Sequence, residues 1–273
     1  MTPEERQHAL DVARDAAQTS GELLAGYLGR LDEARFVRKS SVLDLQTEAD
    51  LASERHLVGV LREAFPEYAI EAEEEVRDAL DDRPRWFCDP LDGTINFVHG
   101  IPLFAVSLGL LVGNRPEVAV VHLPVLRETY VATRAGGAFL ESERGRQPLQ
   151  VSDKAALGEA VLGTGFPYRR WELEDNNLAN FERLFAVARG LRRTGSAATD
   201  LAFTAAGRLD GFWELHLGPH DLAAGVLLVR EAGGIVTDPA GGDDWLRTGH
   251  VVAAGPGLHA ELLERVHAGR NPA

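Results

Sequence analysis

The sequence predicts a mixed fold of the α/β (α+β) class, and three observations predict it. Two segments with helical spacing of apolar residues come first, six short β-like runs follow between residues 68 and 142, and beyond residue 155 helical stretches alternate with short strands.

The first helix begins at Pro3. Thr2 caps it, Pro3 suits a first helical position because the N–H it lacks has no partner there, and Glu5 closes a capping box with Thr2. Leu10, Ala13, Ala17, Leu24 and Leu28 recur at steps of three, four and seven, so one face is buried to about Gly29 while Glu4, Arg6, Asp11 and Asp15 stay wet. A second helix runs from about Asp50 to Phe65 and stops before Pro66. The β-like runs are YAIEA, RWFCD, FAVSLGLLVG, EVAVVHLP, ETYVATRAG and GAFLES; Asn114-Arg115-Pro116, Pro124 and Gly136-Gly137 punctuate them, as in an antiparallel meander. The charged segment 141–155 reads as a linker, which divides the chain into halves 1–150 and 151–273 of one compact unit. In the second half, helix-like stretches 176–189, 196–207, 221–232 and 257–268 alternate with the strands GFWELHL, GGIVTD and GHVVAAG.

Bulk properties exclude several function classes. No stretch approaches the ~20 consecutive apolar residues of a membrane span. The N-terminus MTPEERQHALDVARDAA lacks the basic start and apolar middle of a secretory signal, and Cys88 is the only cysteine, so a reducing, cytoplasmic location is expected. A lone thiol permits no intrachain disulfide, and Cys88 reads as a small apolar strand residue. A net charge of -14 argues against direct nucleic-acid binding, which needs a basic face. It does not exclude a small phosphate ester, provided that bound cations supply the positive charge.

The stretch WFCDPLDGTINF, residues 86–97, places Asp89 and Asp92 at the end of a buried run, directly before Gly93 and Thr94. Two ionised carboxylates there are tolerable only if exposed in a turn or neutralised by cations. Gly93 lets backbone approach a ligand, and INFVHG can start a short helix whose free N–H groups face an anion, so carboxylates for hard cations would sit beside donors for phosphate. The acidic run Glu71, Glu73, Glu74, Glu75 is alone a solvated charge run, and Asp221 alone is an acidic residue at a helix start.

Together, AEEEV, DPLDGTINF and HDLAAGVLLVREAGG resemble the three signature segments of the inositol monophosphatase family of magnesium-dependent phosphatases. KSSVLDLQTEAD resembles the family's lysine loop and TxxD segment, and RRTGSAATDLAFTAAGRLDGFWE its substrate-side segment, so the resemblance spans essentially the whole chain in order. It implies the layered αβαβα sugar-phosphatase fold, with an antiparallel N-terminal sheet and a smaller C-terminal mixed sheet, and two or three Mg2+ per active site. Glu73, Asp89 and the Leu91 carbonyl would hold one ion, and Asp89, Asp92 and Asp221 a second; Glu73 would also face a third, weaker position. Thr94, paired with Asp50, would orient and help deprotonate the attacking water.

Asp92, Gly93, Thr94, Gly195, Ser196, Ala197, Glu214 and Asp221 are the substrate-side residues the resemblance implies. Arg192 or Arg193 would join them, unless the pair is a surface charge cluster, and Lys39 matches the mobile-loop lysine. The implied reaction is hydrolysis of inositol monophosphate. Alternatives are fructose 1,6-bisphosphate, adenosine 3',5'-bisphosphate, NADP or histidinol phosphate, or a non-catalytic regulatory or binding role on the same fold. Lithium sensitivity and a homodimer are implied as well. The sequence departs from the family at His220, where Trp is usual, at Ile95 for a frequent Thr, and at Ala72 and Glu75 around Glu73. Glu75 would add negative charge that favours the third ion.

Overall fold

The computed structural model of the chain describes residues 1–30, 37–38 and 45–267. Helix α1 (Pro3–Tyr27) starts with the expected box: Thr2 N–H donates to Glu5 at 2.7 Å and Glu5 N–H to Thr2 Oγ1 at 3.2 Å. Strands β1 (Val37–Arg38) and β2 (Leu45–Gln46) pair antiparallel. Helix α2 (Glu48–Ala64) has a box of its own, in which the Thr47 hydroxyl accepts from Ala49 and Asp50 while Asp50 accepts the Thr47 N–H at 2.8 Å.

A seven-stranded sheet follows: β3 (Ala69–Ala72), β4 (Arg85–Asp92), then helix α3 (Thr94–Val98), β5 (Ala105–Val112), β6 (Arg115–Leu123), β7 (Glu128–Thr133), β8 (Gly137–Ser142) and β9 (Gly145–Pro148), neighbours in that order. From β4 to β9 every pair is antiparallel, but β3 and β4 run parallel. The expected antiparallel sheet is therefore mixed at one edge. Residues 73–84 are long enough to carry the chain back along the sheet, which a parallel pair requires. The opposite edge, β9, lies in the stretch that reads as a linker; it is exposed throughout, as an edge strand rich in polar residues can be.

The second half forms β10 (Val161–Thr164), α4 (Leu178–Phe185), β11 (Gly190–Arg192), α5 (Ala197–Ala205), β12 (Gly211–Glu214), α6 (Pro219–Glu231), β13 (Ile235–Thr237), α7 (Trp245–Thr248), β14 (Val251–Ala254) and α8 (His259–His267). Its sheet has the order β11-β10-β12-β14-β13 and is mixed. Helices α1 and α2 cover one face of the large sheet; α5 and α6 lie between the two sheets; α4 and α8 close the far side. These five layers explain why β4, β5 and β6 read as nearly unbroken apolar runs. Helices cover both faces, so no residue needs to alternate toward water. Among the described residues, no helix is long and apolar enough to cross a membrane.

The contact between β5 and α6 is close. A Cβ on Gly109 would lie 2.6 Å from Ala223 Cβ and 2.8 Å from the α6 backbone at Ala223 and Ala224. Gly109→Ala is expected to push α6 off the sheet and destabilise the chain by about 1–3 kcal/mol in denaturant unfolding. An unchanged midpoint would show that Gly109 does not set this spacing.

Candidate active site

Asp89 and Asp92 lie three residues apart on β4, and a regular strand sends such residues to opposite faces. The structure resolves the conflict with a bulge. Asp89 pairs with Ser107 and Asp92 with Ala105, so three steps on β4 oppose two on β5. Pro90, which has no N–H for a ladder, sits inside the irregularity, and its carbonyl accepts the Ser53 hydroxyl of α2 at 2.8 Å. Asp89 is buried and accepts the Leu91 N–H at 2.9 Å. Gly93 follows at φ +99°, where a Cβ would press on the Leu103 carbonyl at 3.1 Å and on Phe104 at 3.3 Å, so the turn into α3 needs glycine. Thr94 Oγ1 is within donating distance, 3.2 Å, of both Asp50 Oδ1 and the Leu91 carbonyl.

Other elements bring the remaining acids. Asp221 stands in the first turn of α6, entered through Pro219, and accepts the Gly218 N–H at 2.6 Å. Asp92 accepts from Ser196 Oγ at 2.8 Å and from Ala198 N–H at 2.6 Å, which ties β4 to the start of α5. Glu73 extends the β3–β4 ladder through its N–H to the Cys88 carbonyl. The loop after it is cradled by buried Glu54, whose carboxylate accepts the N–H groups of Glu74, Glu75 and Val76 at 2.8–2.9 Å.

The result is two groups whose ligand atoms lie within 4.8 Å of one another: Asp89, Asp92 and Asp221, and Glu73, Asp89 and His220. They line one cavity of about 280 Å3 together with Leu91, Gly93 and Thr94. Crowding acids in a buried place raises their pKa values. Burial, then Glu73, Asp92 and Asp221, holds the Asp89 carboxyl well above the usual carboxylate range. Burial and Asp221 push Asp92 up to about 7 against the opposing hydrogen bonds from Ser196 and Ala198. Burial raises Asp221 despite the nearby His220. Carboxylate oxygens and a carbonyl, with room for waters, fit Mg2+.

Gly195, Ser196, Ala197 and Glu214 form another part of the same wall, with Arg193, Asp200 and His216. Burial holds Glu214 well above its usual value, with the Arg193 charge opposing. Of the arginine pair it is Arg193 that reaches the cavity; Arg192 is exposed, and its guanidinium donates to the Leu191 carbonyl at 3.0 Å, because adjacent residues diverge on an extended chain. Glu75 is exposed and outside the cavity wall, since Glu54 turns this loop outward after Glu73; Arg77 lines the rim instead. Lys39 lies outside the described residues. Glu54, Asp200 and His216 are absent from the sequence-based site. Glu54 carried a signal, since it interrupts the buried face of α2 made by Leu57, Val58 and Leu61.

The inositol monophosphatase family model matches residues 5–270. The chain belongs to the inositol monophosphatase family. Nus factor SuhB of Pseudomonas aeruginosa is 43% identical over 270 residues, which cover 95% of this chain and 96% of that protein. The inositol-1-monophosphatase of Synechocystis is 39% identical over 269 residues, covering 98% and 92%. Among solved structures, extragenic suppressor protein suhB from Bartonella henselae has a TM-score of 0.88 at 35% identity and covers 96% of this chain and 100% of its own. Inositol monophosphatase from Anabaena has a TM-score of 0.84 at 38% identity and covers 95% of each. The two-sheet architecture is thus that of the inositol monophosphatase family, which is magnesium-dependent in general.

Cation binding at raised carboxyls must displace protons. Asp92 is protonated in the cation-free fold at pH values where the unfolded chain is ionised, so its contribution to stability falls as pH rises from about 4 to about 7, and the raised Asp89 and Asp221 carboxyls act in the same direction. Buried His122, held near 4, contributes with the opposite sign, so the informative quantity is the gain in Tm on adding Mg2+, in which the histidine cancels. That gain is expected to grow between pH 5.5 and 7.5, with proton release measurable by calorimetry in buffers of different ionisation enthalpy. A gain that is flat over this range contradicts the raised values.

Proposed function

We propose that the chain is a Mg2+-dependent phosphomonoesterase that hydrolyses inositol monophosphate to myo-inositol and phosphate by direct attack of water. One observation carries this reading: Glu73, the Asp89 and Asp92 pair of β4, and Asp221 converge from three separate segments beside the Thr94–Asp50 pair. Bound Mg2+ would supply positive charge for the phosphate oxygens and acidify the attacking water.

The chain's own residues supply the rest. Glu73, Asp89, the Leu91 carbonyl, Asp92 and Asp221 hold the ions. Thr94 donates a hydrogen bond from its hydroxyl to Asp50, which leaves its oxygen lone pairs to accept a hydrogen bond from water and orient it. Gly93 leaves room for a phosphate oxygen. Ser196, Ala197, Gly195 and Glu214, with Asp92 and Asp221, face the alcohol, and Arg193 adds a cation on that side. Lithium inhibition, a homodimeric state and a cytoplasmic setting belong to the same reading.

A second reading rests on the relatives that carry the name Nus factor SuhB: a regulatory or binding role on this fold. The net charge of -14 favours a protein surface over a nucleic acid as the partner in that reading.

A rate panel over inositol monophosphate, fructose 1,6-bisphosphate, adenosine 3',5'-bisphosphate, NADP and histidinol phosphate with Mg2+ decides the substrate; the highest kcat/KM is expected for inositol monophosphate. Thr94→Ala is expected to lower kcat by about 10^2–10^4-fold with Mg2+ binding retained, and millimolar lithium to inhibit the wild type. If wild type and Asp89→Asn hydrolyse all five esters equally poorly, the enzymatic reading fails and the regulatory one gains.

A further inference from the structure

The two ligand groups differ in chemistry. Asp89, Asp92 and Asp221 offer oxygen alone, whereas Glu73, Asp89 and His220 include an imidazole nitrogen, and the two groups share only Asp89. His220 stands in the first turn of α6, directly before Asp221, where the family resemblance leads one to expect an indole that cannot bind a cation through a lone pair. Its side chain is only 14% exposed and lines the cavity. Among the described residues neither ring nitrogen has a hydrogen-bond partner; Asp221 Oδ1 lies 3.9 Å from Nε2, too far for one. The ring packs over Gly218, where a Cβ would lie 2.5–2.7 Å from imidazole atoms, so glycine leaves it room. A largely buried, unbonded imidazole is therefore packed against a pair of carboxylates at ligand spacing.

Mg2+ prefers an all-oxygen shell, while imidazole suits Zn2+, Ni2+ and Cu2+; Mn2+ favours oxygen but accepts an imidazole nitrogen more readily than Mg2+ does. We propose that Glu73, Asp89 and His220 form a nitrogen-containing cation position that takes a transition-metal dication in preference to Mg2+, while Asp89, Asp92 and Asp221 keep the oxygen-only position for Mg2+. The inference rests on the cation-binding part of the proposed function and not on turnover. A purely electrostatic role for His220, shielding Asp221, places no nitrogen on the metal.

Mn2+ distinguishes the two. One equivalent is added to the full chain in the presence of excess Mg2+, and pulsed EPR reads the modulation from a directly coordinated 14N nucleus. The coupling is expected in the wild type, lost in His220→Gln and in His220→Trp, and kept in His216→Gln, the other cavity histidine. In calorimetric titration both His220 variants are expected to bind Mn2+ about 10–100-fold more weakly, with Mg2+ affinity changed by less than about twofold. No 14N coupling in the wild type, or one that survives His220→Gln, overturns the proposal. Ester hydrolysis with Mg2+ alone is measured in parallel, so loss of the enzymatic reading and loss of this one register separately.

Discussion

Four carboxylates meet in one cavity, with Asp89 at ligand spacing from Glu73 on one side and from Asp92 and Asp221 on the other; they repel, and the rest of the structure is arranged to keep them there. Three of the acids that build the site meet the starts of helices: Asp50 in the first turn of α2, Asp221 in the first turn of α6, and Asp92 on the N–H and hydroxyl groups that open α5. Each such placement offsets repulsion by about 0.3–1 kcal/mol through the helix dipole. That is too little. The rise of Asp92 from 3.8 to about 7 corresponds to roughly 4 kcal/mol, so protons or cations must supply what the helix starts do not.

The precision of the cluster is a property of the core. Asp89 belongs to the large sheet and Asp221 to α6, so their separation is set by how closely α6 lies on β5, which Gly109 permits. Gly225 does the same on the other side of α6, where a Cβ would run into Leu201 of α5 at 2.4 Å. Because α5 also holds Asp92 through Ala198, the helices of the central layer and the bulge of β4 behave as one packed unit. The acidic loop after β3 is fastened separately, by Glu54 on α2, and Ser53 of the same helix turn holds the bulge at Pro90. Helix α2 thus positions three parts of the site, through Asp50, Ser53 and Glu54.

Much of this was legible in the sequence where one local interaction decides the outcome. The caps at Thr2, the glycine at 93 and the start of α3 follow from turn and cap chemistry alone. The five layers and the meeting of Glu73, Asp89, Asp92 and Asp221 in one cavity follow from long motifs matched in order. What escaped depends on contacts distant in sequence. The direction of β3 is set by its pairing with β4, since apolar periodicity is the same for parallel and antiparallel strands. The bulge left a trace, two facing acids at an odd spacing around a proline, but only pairing with Ser107 and Ala105 makes it visible. Arg192 and Arg193 differ only in which side of the chain each leaves, and Glu54, although it falls on the buried face of α2, has partners about twenty residues away, in the loop after β3.

The cluster bears unequally on the two functional readings. Buried carboxylates that share cations gain stability from them whether or not anything is hydrolysed, so the ligand set argues for cation binding more directly than for turnover. Asp50 is the sharper discriminator. Its Oδ2 caps α2, a structural task that one oxygen completes, and a binding protein needs no more of it. Its Oδ1 faces Thr94, whose hydroxyl also reaches the carbonyl of Leu91 and lies against the same cavity as the acids. A polar pair buried at the edge of an acidic cavity adds to the cost of burial there, and orienting a water molecule is the task that its geometry suits.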